Sequence, residues 1–191
     1  RRAETRHERA MIIIQPMSTE TTLPTVPTLP PSHNLSGVAA LPAWGVIRAQ
    51  GADAPKFLHG QLTQDFSLLG PDQARLAAFC SPKGRMLSSF VGLKLAVDDV
   101  LLLCPTDTLA AMLKRLSMFV MRAQCRLSDA SADWTLWGVA GESTASPSLE
   151  STPWQVARAQ EQTWVRLYPA AGVERALVLS PVGSAPPAGP V

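Results

Sequence analysis

Apolar and polar residues alternate along the chain with two different periods, and each period predicts one kind of element. Several short runs are rich in apolar and β-branched residues and have the length of β-strands. These predicted strands cover residues 44–50, 76–80, 86–96, 100–104, 125–127, 134–139, 164–168 and 176–179. The run at 100–104 is apolar at every position and is predicted to be a short strand.

Two segments carry the helical period instead. Between Leu109 and Val120 the apolar residues recur at spacings of three and four, which predicts a helix over 107–120. A shorter helix is predicted to begin at Asp53, a natural N-cap, and to carry Leu58, Leu62 and Phe66 on one face. The order β-α-β-β-β-α-β predicts an α+β fold, a mostly antiparallel sheet with two packed helices, compatible with a ferredoxin-like arrangement.

The composition changes toward both ends of the 191-residue chain. Residues 19–36 are rich in Thr, Pro and Ser, and residues 1–36 are predicted to be a disordered lead-in. Residues 182–191 read as a linker-like tail. The predicted folded region is therefore 37–181.

Charge and cysteine content narrow the class of protein. A net charge of +2 does not favour direct binding of nucleic acid, and no apolar run approaches the roughly 18 residues that cross a membrane. Cys80, Cys104 and Cys125 are far apart and form no C-x-x-C pair. Free thiols of this kind are typical of a reducing compartment, so we expect a cytoplasmic protein.

The stretch from Trp44 to Arg85 carries the most specific pattern. It contains W-G-V-I-R-A-Q-G-A-D, then G-Q-L-T-Q-D, then A-A-F-C-S-P-K-G-R-M, in which Ser81 to Gly84 suit a type I turn. This order resembles the start of the folate-binding YgfZ family, relatives of the glycine-cleavage T-protein. The resemblance runs from Trp44 to Gly141 and more weakly over 164–181. It implies a fold of the T-protein N-terminal type, without the family's C-terminal barrel-like domain.

The resemblance also implies a tetrahydrofolate site. Trp44 stands where a family tryptophan is implicated in folate binding, and an indole offers a wide stacking face to flat, π-rich rings. Alternatively, Trp44 is only the first core residue of its strand.

Four polar residues match other family motifs. Lys83 and Arg85 belong to a K-G-[KR] turn, where two cations could meet the glutamate tail of folate or stay solvated. Gln61 and Asp65 belong to a G-Q-[LV]-T-x-D match, where they could line a polar pocket or cap the helix end. The resemblance therefore implies a cofactor site of Trp44, Gln61, Asp65, Lys83 and Arg85.

Two departures from the related families bear on chemistry. The T-protein has a paired Asp-Asp where this chain has Ser88 and Ser89, and hydroxyls cannot supply the charge or proton chemistry of a carboxylate. This argues against aminomethyl transfer. The K-G-C-x-T-G-Q-E signature of YgfZ-like proteins does not occur in the 191 residues.

The function implied by the resemblance is that of a folate-dependent accessory protein. It would act in the assembly or maintenance of iron–sulfur clusters and so support tRNA-modifying enzymes, with iron–sulfur client proteins as partners. The scattered cysteines do not predict a cluster held by this chain itself. Two alternatives stay open: an aminomethyltransferase resembling the T-protein, and a truncated, non-functional remnant.

Overall fold

A computed structural model describes residues 35–145 and 152–188, which fall within one compact unit. The predicted lead-in, residues 1–36, lies almost wholly outside the described residues. The two α-helices are α1 (Ala54–Gln61) and α2 (Thr106–Val120). The strands are β1 (Gly37–Ala40), β2 (Trp44–Gln50), β3 (Ala74–Cys80), β4 (Met86–Ala96), β5 (Asp99–Pro105), β6 (Arg126–Asp129), β7 (Trp134–Ala140), β8 (Val156–Ala159), β9 (Gln162–Arg166) and β10 (Arg175–Pro181).

The strands form two antiparallel five-stranded sheets. The inner sheet has the order β3-β4-β5-β2-β6, and the outer sheet has the order β1-β7-β10-β9-β8. Neither sheet closes into a barrel within the described residues. The α+β prediction is confirmed, with two sheets in place of the single sheet that the strand pattern suggested.

The inner sheet is covered on both faces, which makes the molecule three layers thick. On β5, Val100, Leu102 and Cys104 pack with the two helices, while Leu101 and Leu103 pack against the outer sheet. Successive strand residues point to opposite faces, so a strand between two cores needs apolar residues at every position. The continuous apolar run at 100–104 has this environment.

The first helix ends earlier than its sequence pattern indicates. Leu62 is the C-cap in an extended conformation, so Leu62 and Phe66 lie outside α1, yet both are buried with Leu58 in the helix-side core. The prediction of one continuous helical face was wrong because the chain beyond α1 bonds to β3 instead. There the Thr63 amide donates to the Ala78 carbonyl, at 3.0 Å.

The side chain of Asp53, the N-cap residue of α1, has an unexpected partner. The Asp53 side chain makes no capping hydrogen bond to the helix. Its carboxylate accepts from the amide of Gln124, at 2.7 Å, in the loop that follows α2. Asp53 therefore ties the two helical segments together.

The sequence pattern does not predict two of the short strands. β1 and β8 have four residues each, GVAA and VARA, and neither shows the long alternation that marks a strand. Both lie at edges of the outer sheet and are held by pairing with β7 and β9. The chain beyond β10 continues along the same sheet, where Gln162 Nε2 donates to the Ala185 carbonyl, at 3.1 Å.

Candidate functional site

Trp44 begins β2 and lies at one end of the inner sheet. It stands opposite Pro105, the last residue of β5, and its half-buried side chain packs against the core between the two sheets. The indole also borders open space, because it lines a groove of about 610 Å³. It is therefore both a core residue of its strand and part of a cavity wall.

The groove opens between the two sheets at this end of the molecule. Its walls come from β1, β7 and β10 of the outer sheet and from Trp44 and Val91 of the inner sheet. The lining residues are Leu35, Ser36, Gly37, Val38, Ala39, Leu41, Trp44, Val91, Gly138, Val139, Ala140, Leu167, Arg175, Ala176 and Leu177. A concave, mostly apolar wall with a few polar groups is the usual character of a small-molecule site.

Within residues 35–145 and 152–188, Arg175 is the one charged residue of this lining. Strand pairing places it there, because Ala140 of β7 lies opposite both Gly37 of β1 and Arg175 of β10. Its Nε and Nη2 donate to the Tyr168 carbonyl oxygen, at 3.1 and 2.9 Å. These two bonds fix the guanidinium on the groove wall.

A second, smaller cavity of about 320 Å³ is also lined by Trp44. It is lined in part by Pro42, Thr106, Ser131 and Trp134. Ser131 is held at its edge, where its hydroxyl oxygen accepts from the amide of Val46, at 3.0 Å. Trp44 thus lines two concave surfaces.

Lys83 and Arg85 lie on the hairpin between β3 and β4. The Gly84 amide donates to the Ser81 carbonyl, at 2.9 Å, and the Ser81 amide donates to the Arg85 carbonyl, at 2.8 Å. Gly84 has a φ of 76°, as expected for the left-handed position that follows a type I turn in a three-residue hairpin loop. The turn is confirmed, and both cationic side chains are exposed to solvent.

Gln61 and Asp65 lie at and just after the end of α1. Gln61 is the last helical residue and is half-buried. The Asp65 carboxylate accepts from the amides of Ser67 and Leu68, at 2.8 and 3.2 Å, so it caps the following turn. His59 Nδ1 lies 3.5 Å from the same carboxylate, a contact that becomes an ion pair when the imidazole is protonated.

The structure separates these candidates into two groups. Gln61, Asp65, Lys83 and Arg85 lie around β3, and the segment after α1 packs on the helix side of the inner sheet. Trp44 faces the opposite side of that sheet. β4 and β5 lie between β3 and β2, so β3 is about 14 Å from the strand that carries Trp44 at the usual strand spacing. None of the four polar residues lines either cavity beside Trp44.

Ser88 and Ser89 occupy the place of the acidic pair on β4. The Ser88 hydroxyl is buried and lies 2.9 Å from the Thr108 hydroxyl of α2. Ser89 is half-buried and stands opposite Ala78 on β3. The Ser88 side chain thus serves the contact between the inner sheet and α2.

The cysteines carry no visible chemistry of their own. All three are free, and burial raises the pKa of the Cys104 thiol to about 12, which keeps it protonated and a poor nucleophile. Burial also raises the pKa of Cys125. Across residues 35–145 and 152–188, no group of three or more His, Cys, Asp or Glu side chains could hold a metal ion.

Arg175 and the groove itself were missed by sequence reasoning. The residues that form the groove lie near positions 37, 44, 91, 140 and 175, and no local pattern links them. The one available signal is that Arg175 begins a strand that is otherwise apolar up to Ser180. That signal marks a strand end but not a site.

The fold of the described residues is similar to the crystal structure of glycine cleavage system aminomethyltransferase T from Bartonella henselae, with a TM-score of 0.67. The superposition covers 78% of this chain and 42% of that one, at 19% sequence identity. At this identity the likeness is one of fold alone. None of the described helices is both long and apolar enough to cross a membrane.

Sequence comparison gives the particular relatives. The chain is 48% identical over 52 residues to the tRNA-modifying protein YgfZ of Hamiltonella defensa, which covers 27% of this chain and 16% of that protein. It is 34% identical over 108 residues to an uncharacterized protein of Haemophilus influenzae, covering 56% of this chain and 38% of that protein. No protein-family model matches the chain.

These matches confirm the resemblance to YgfZ-like proteins that the sequence predicts. The matched segments span well under two thirds of the length of these relatives.

Proposed function

We propose that this chain forms a folate-binding part of a YgfZ-like protein, with residues 37–181 as the region that carries the site. In this proposal the tetrahydrofolate-bound protein acts in the cytoplasm. It supports the assembly or maintenance of iron–sulfur clusters in client proteins, and through them the modification of tRNA.

The observation that carries the proposal is the position of Trp44 on the wall of the 610 Å³ groove. A flat pterin or aminobenzoyl ring needs a wide apolar face, and a half-buried indole held by a strand end supplies one without losing side-chain freedom on binding. The similarity to the tRNA-modifying protein YgfZ supports the proposed link to tRNA modification.

The polar residues around β3 have a secondary role in this proposal. Lys83 and Arg85 would present positive charge near the end of the inner sheet. Gln61 and Asp65 would form a polar surface beside them, outside the groove. Because Asp65 is already bonded to two backbone amides, its contribution would be to hold the segment in place.

Replacing Trp44 with Ala should weaken tetrahydrofolate binding about ten-fold or more, because the ligand loses its stacking face. Isothermal titration calorimetry of the 191-residue chain measures this without interference from the four other tryptophans. Trp44→Phe keeps an aromatic face and should retain part of the affinity.

The matched control is Trp137→Ala. Trp137 is also half-buried, but it packs with the separate core cluster of the outer sheet and does not line the groove. Equal affinity in the wild type and Trp44→Ala would remove Trp44 from the site, and no binding by the wild type would remove folate from the proposal.

The cellular part of the proposal needs its own readout. In bacteria that depend on this protein, Trp44→Ala should lower the level of tRNA nucleosides that iron–sulfur enzymes modify, while Trp137→Ala should not. Release of formaldehyde from an aminomethyl donor with tetrahydrofolate would instead favour a T-protein-like enzyme, in spite of Ser88 and Ser89.

A further inference from the structure

The groove beside Trp44 carries one unpaired positive charge on an apolar wall. Among the described residues that line it, Arg175 is the only ionisable one. No described carboxylate forms a salt bridge with Arg175. An apolar surface with a single fixed cation is complementary to a flat apolar molecule that ends in an anionic group.

The neighbouring acidic residue does not neutralise this charge. Glu174 directs its carboxylate to Arg166, with an Nη1 to Oε2 distance of 3.2 Å. Within the described residues, the hydrogen-bond partner of the Arg175 side chain is the Tyr168 carbonyl.

The hydrogen-bonding capacity of Arg175 is only partly used. A guanidinium has five N–H donors, and the Tyr168 carbonyl receives bonds from Nε and Nη2 only. Nη1 makes no hydrogen bond within the described residues and can pair with an oxygen anion. The two bonds to a backbone carbonyl hold the side chain in place, so an incoming anion would meet a group that is already oriented.

We propose that Arg175 is the anion-recognition residue of this groove and binds a carboxylate of the glutamate tail of folate. The inference rests on the folate proposal and adds a specificity to it: the groove should distinguish folates with a glutamate tail from pterins that lack one. Arg175 then takes the role that the sequence motif suggested for Lys83 and Arg85, which lie outside the groove.

The first experiment compares ligands that differ in charge. Tetrahydrofolate and the tail-less 6-methyltetrahydropterin are titrated by calorimetry into the wild type, Arg175→Gln and Arg175→Lys. We expect Arg175→Gln to weaken tetrahydrofolate binding about ten-fold or more, as for the loss of a charge-assisted hydrogen bond, and to leave the tail-less pterin unchanged. Arg175→Lys should restore part of the affinity because it keeps the charge without the planar fork.

The second experiment tests the effect of the Arg175 charge on binding without using folate. The anionic probe 8-anilinonaphthalene-1-sulfonate and the neutral probe N-phenyl-1-naphthylamine are followed by fluorescence. Arg175→Gln should lose affinity for the anionic probe and keep it for the neutral one. Arg115→Gln is the charge-matched control, because Arg115 lies on the exposed face of α2. Unchanged melting temperatures of the variants show that the fold is kept.

The outcomes distinguish the two proposals. A wild type that does not bind tetrahydrofolate, together with selective loss of the anionic probe in Arg175→Gln, would remove the folate function and keep Arg175 as an anion-binding residue. Tetrahydrofolate binding that Arg175→Gln leaves intact would keep the function and remove Arg175. Equal losses for charged and neutral ligands, or no binding of the anionic probe by the wild type, would also overturn the inference.

Discussion

At the scale of single residues, Cys104 shows how position decides chemical behaviour. It lies on β5 in the core between the inner sheet and the helices, with no exposed surface. The thiolate form would lose its hydration there, so burial raises the pKa of Cys104 from 9.0 to about 12, with smaller contributions from the negative charges of Asp129 and Asp107. The same residue type in an exposed loop would be a candidate nucleophile.

This pKa predicts a loss of stability in alkaline solution. Above pH 9 the unfolded chain releases the Cys104 proton while the folded chain keeps it, so the free energy of unfolding falls until about pH 12, by up to about 1.4 kcal/mol per pH unit. Urea denaturation between pH 8 and pH 10.5 measures the free energy of unfolding of the wild type and of Cys104→Ala. The wild type should show the steeper fall.

The slopes of the free energy of unfolding against pH are compared. The cavity that Cys104→Ala creates has the same cost at every pH and therefore does not affect the slope. Parallel curves for the two proteins above pH 9 would show that Cys104 does not titrate differently in the folded state.

At the scale of elements, α1 is a short helix whose limits are set by its neighbours. Its eight residues are too few for an isolated helix to be stable, so its stability comes from the buried side chains of Ala54, Phe57 and Leu58. Beyond Gln61 the bonds between Thr63 and Ala78 draw the chain onto β3. The helix therefore stops where pairing with a strand becomes available.

Replacing Gly60 with Ala should stabilise α1. Gly60 is exposed in the last turn, and a β-carbon at this position would meet no atom within 4 Å. The unfolded chain loses conformational freedom and the folded chain gains no strain, so the free energy of unfolding should rise by about 0.5 kcal/mol. Urea denaturation of the variant measures the change, and a decrease would show that Gly60 has an unrecognised packing role.

At the scale of the whole molecule, packing between distant segments decides which residues are tolerated. Phe66, in the segment after α1, is fully buried against β4. A β-carbon built on Gly92 would overlap the Phe66 ring, and would also lie 3.3 Å from Leu102. A side chain at position 92 would therefore force apart the inner sheet and the segment that follows α1.

Gly92→Ala should lower the free energy of unfolding by about 1–3 kcal/mol, the usual cost of overpacking a rigid core. The same denaturation measurement as for Gly60→Ala applies, and the two variants form a matched pair, since each adds one methyl group to a glycine. A Gly92→Ala protein as stable as the wild type would mean that the Phe66 ring moves aside without cost.

The sequence predicted the elements whose signals are local. β5 follows from its continuous apolar run, α2 from its helical period, and the β3–β4 hairpin from Pro82 and Gly84. β1 and β8 were missed because four-residue edge strands have too few positions to show a period, and pairing with neighbours alone defines them.

The candidate site was only partly accessible to sequence reasoning. The motif that contains Trp44 was recognised, and the structure sets that residue on a groove wall. Arg175 was not recognised, since it lies 131 positions beyond Trp44 and meets the groove only through the pairing of β1, β7 and β10.

The sequence by itself determined the α+β class, most of the strands, the longer helix and the resemblance to YgfZ-like proteins. These properties follow from hydrophobic periods, turn residues and short motifs, all of which act over a few neighbouring positions. Only the tertiary structure decided that the sheets are two, where α1 ends, and that Trp44 shares a groove with Arg175. Those outcomes depend on non-local strand pairing and packing, which bring together residues that no local preference connects.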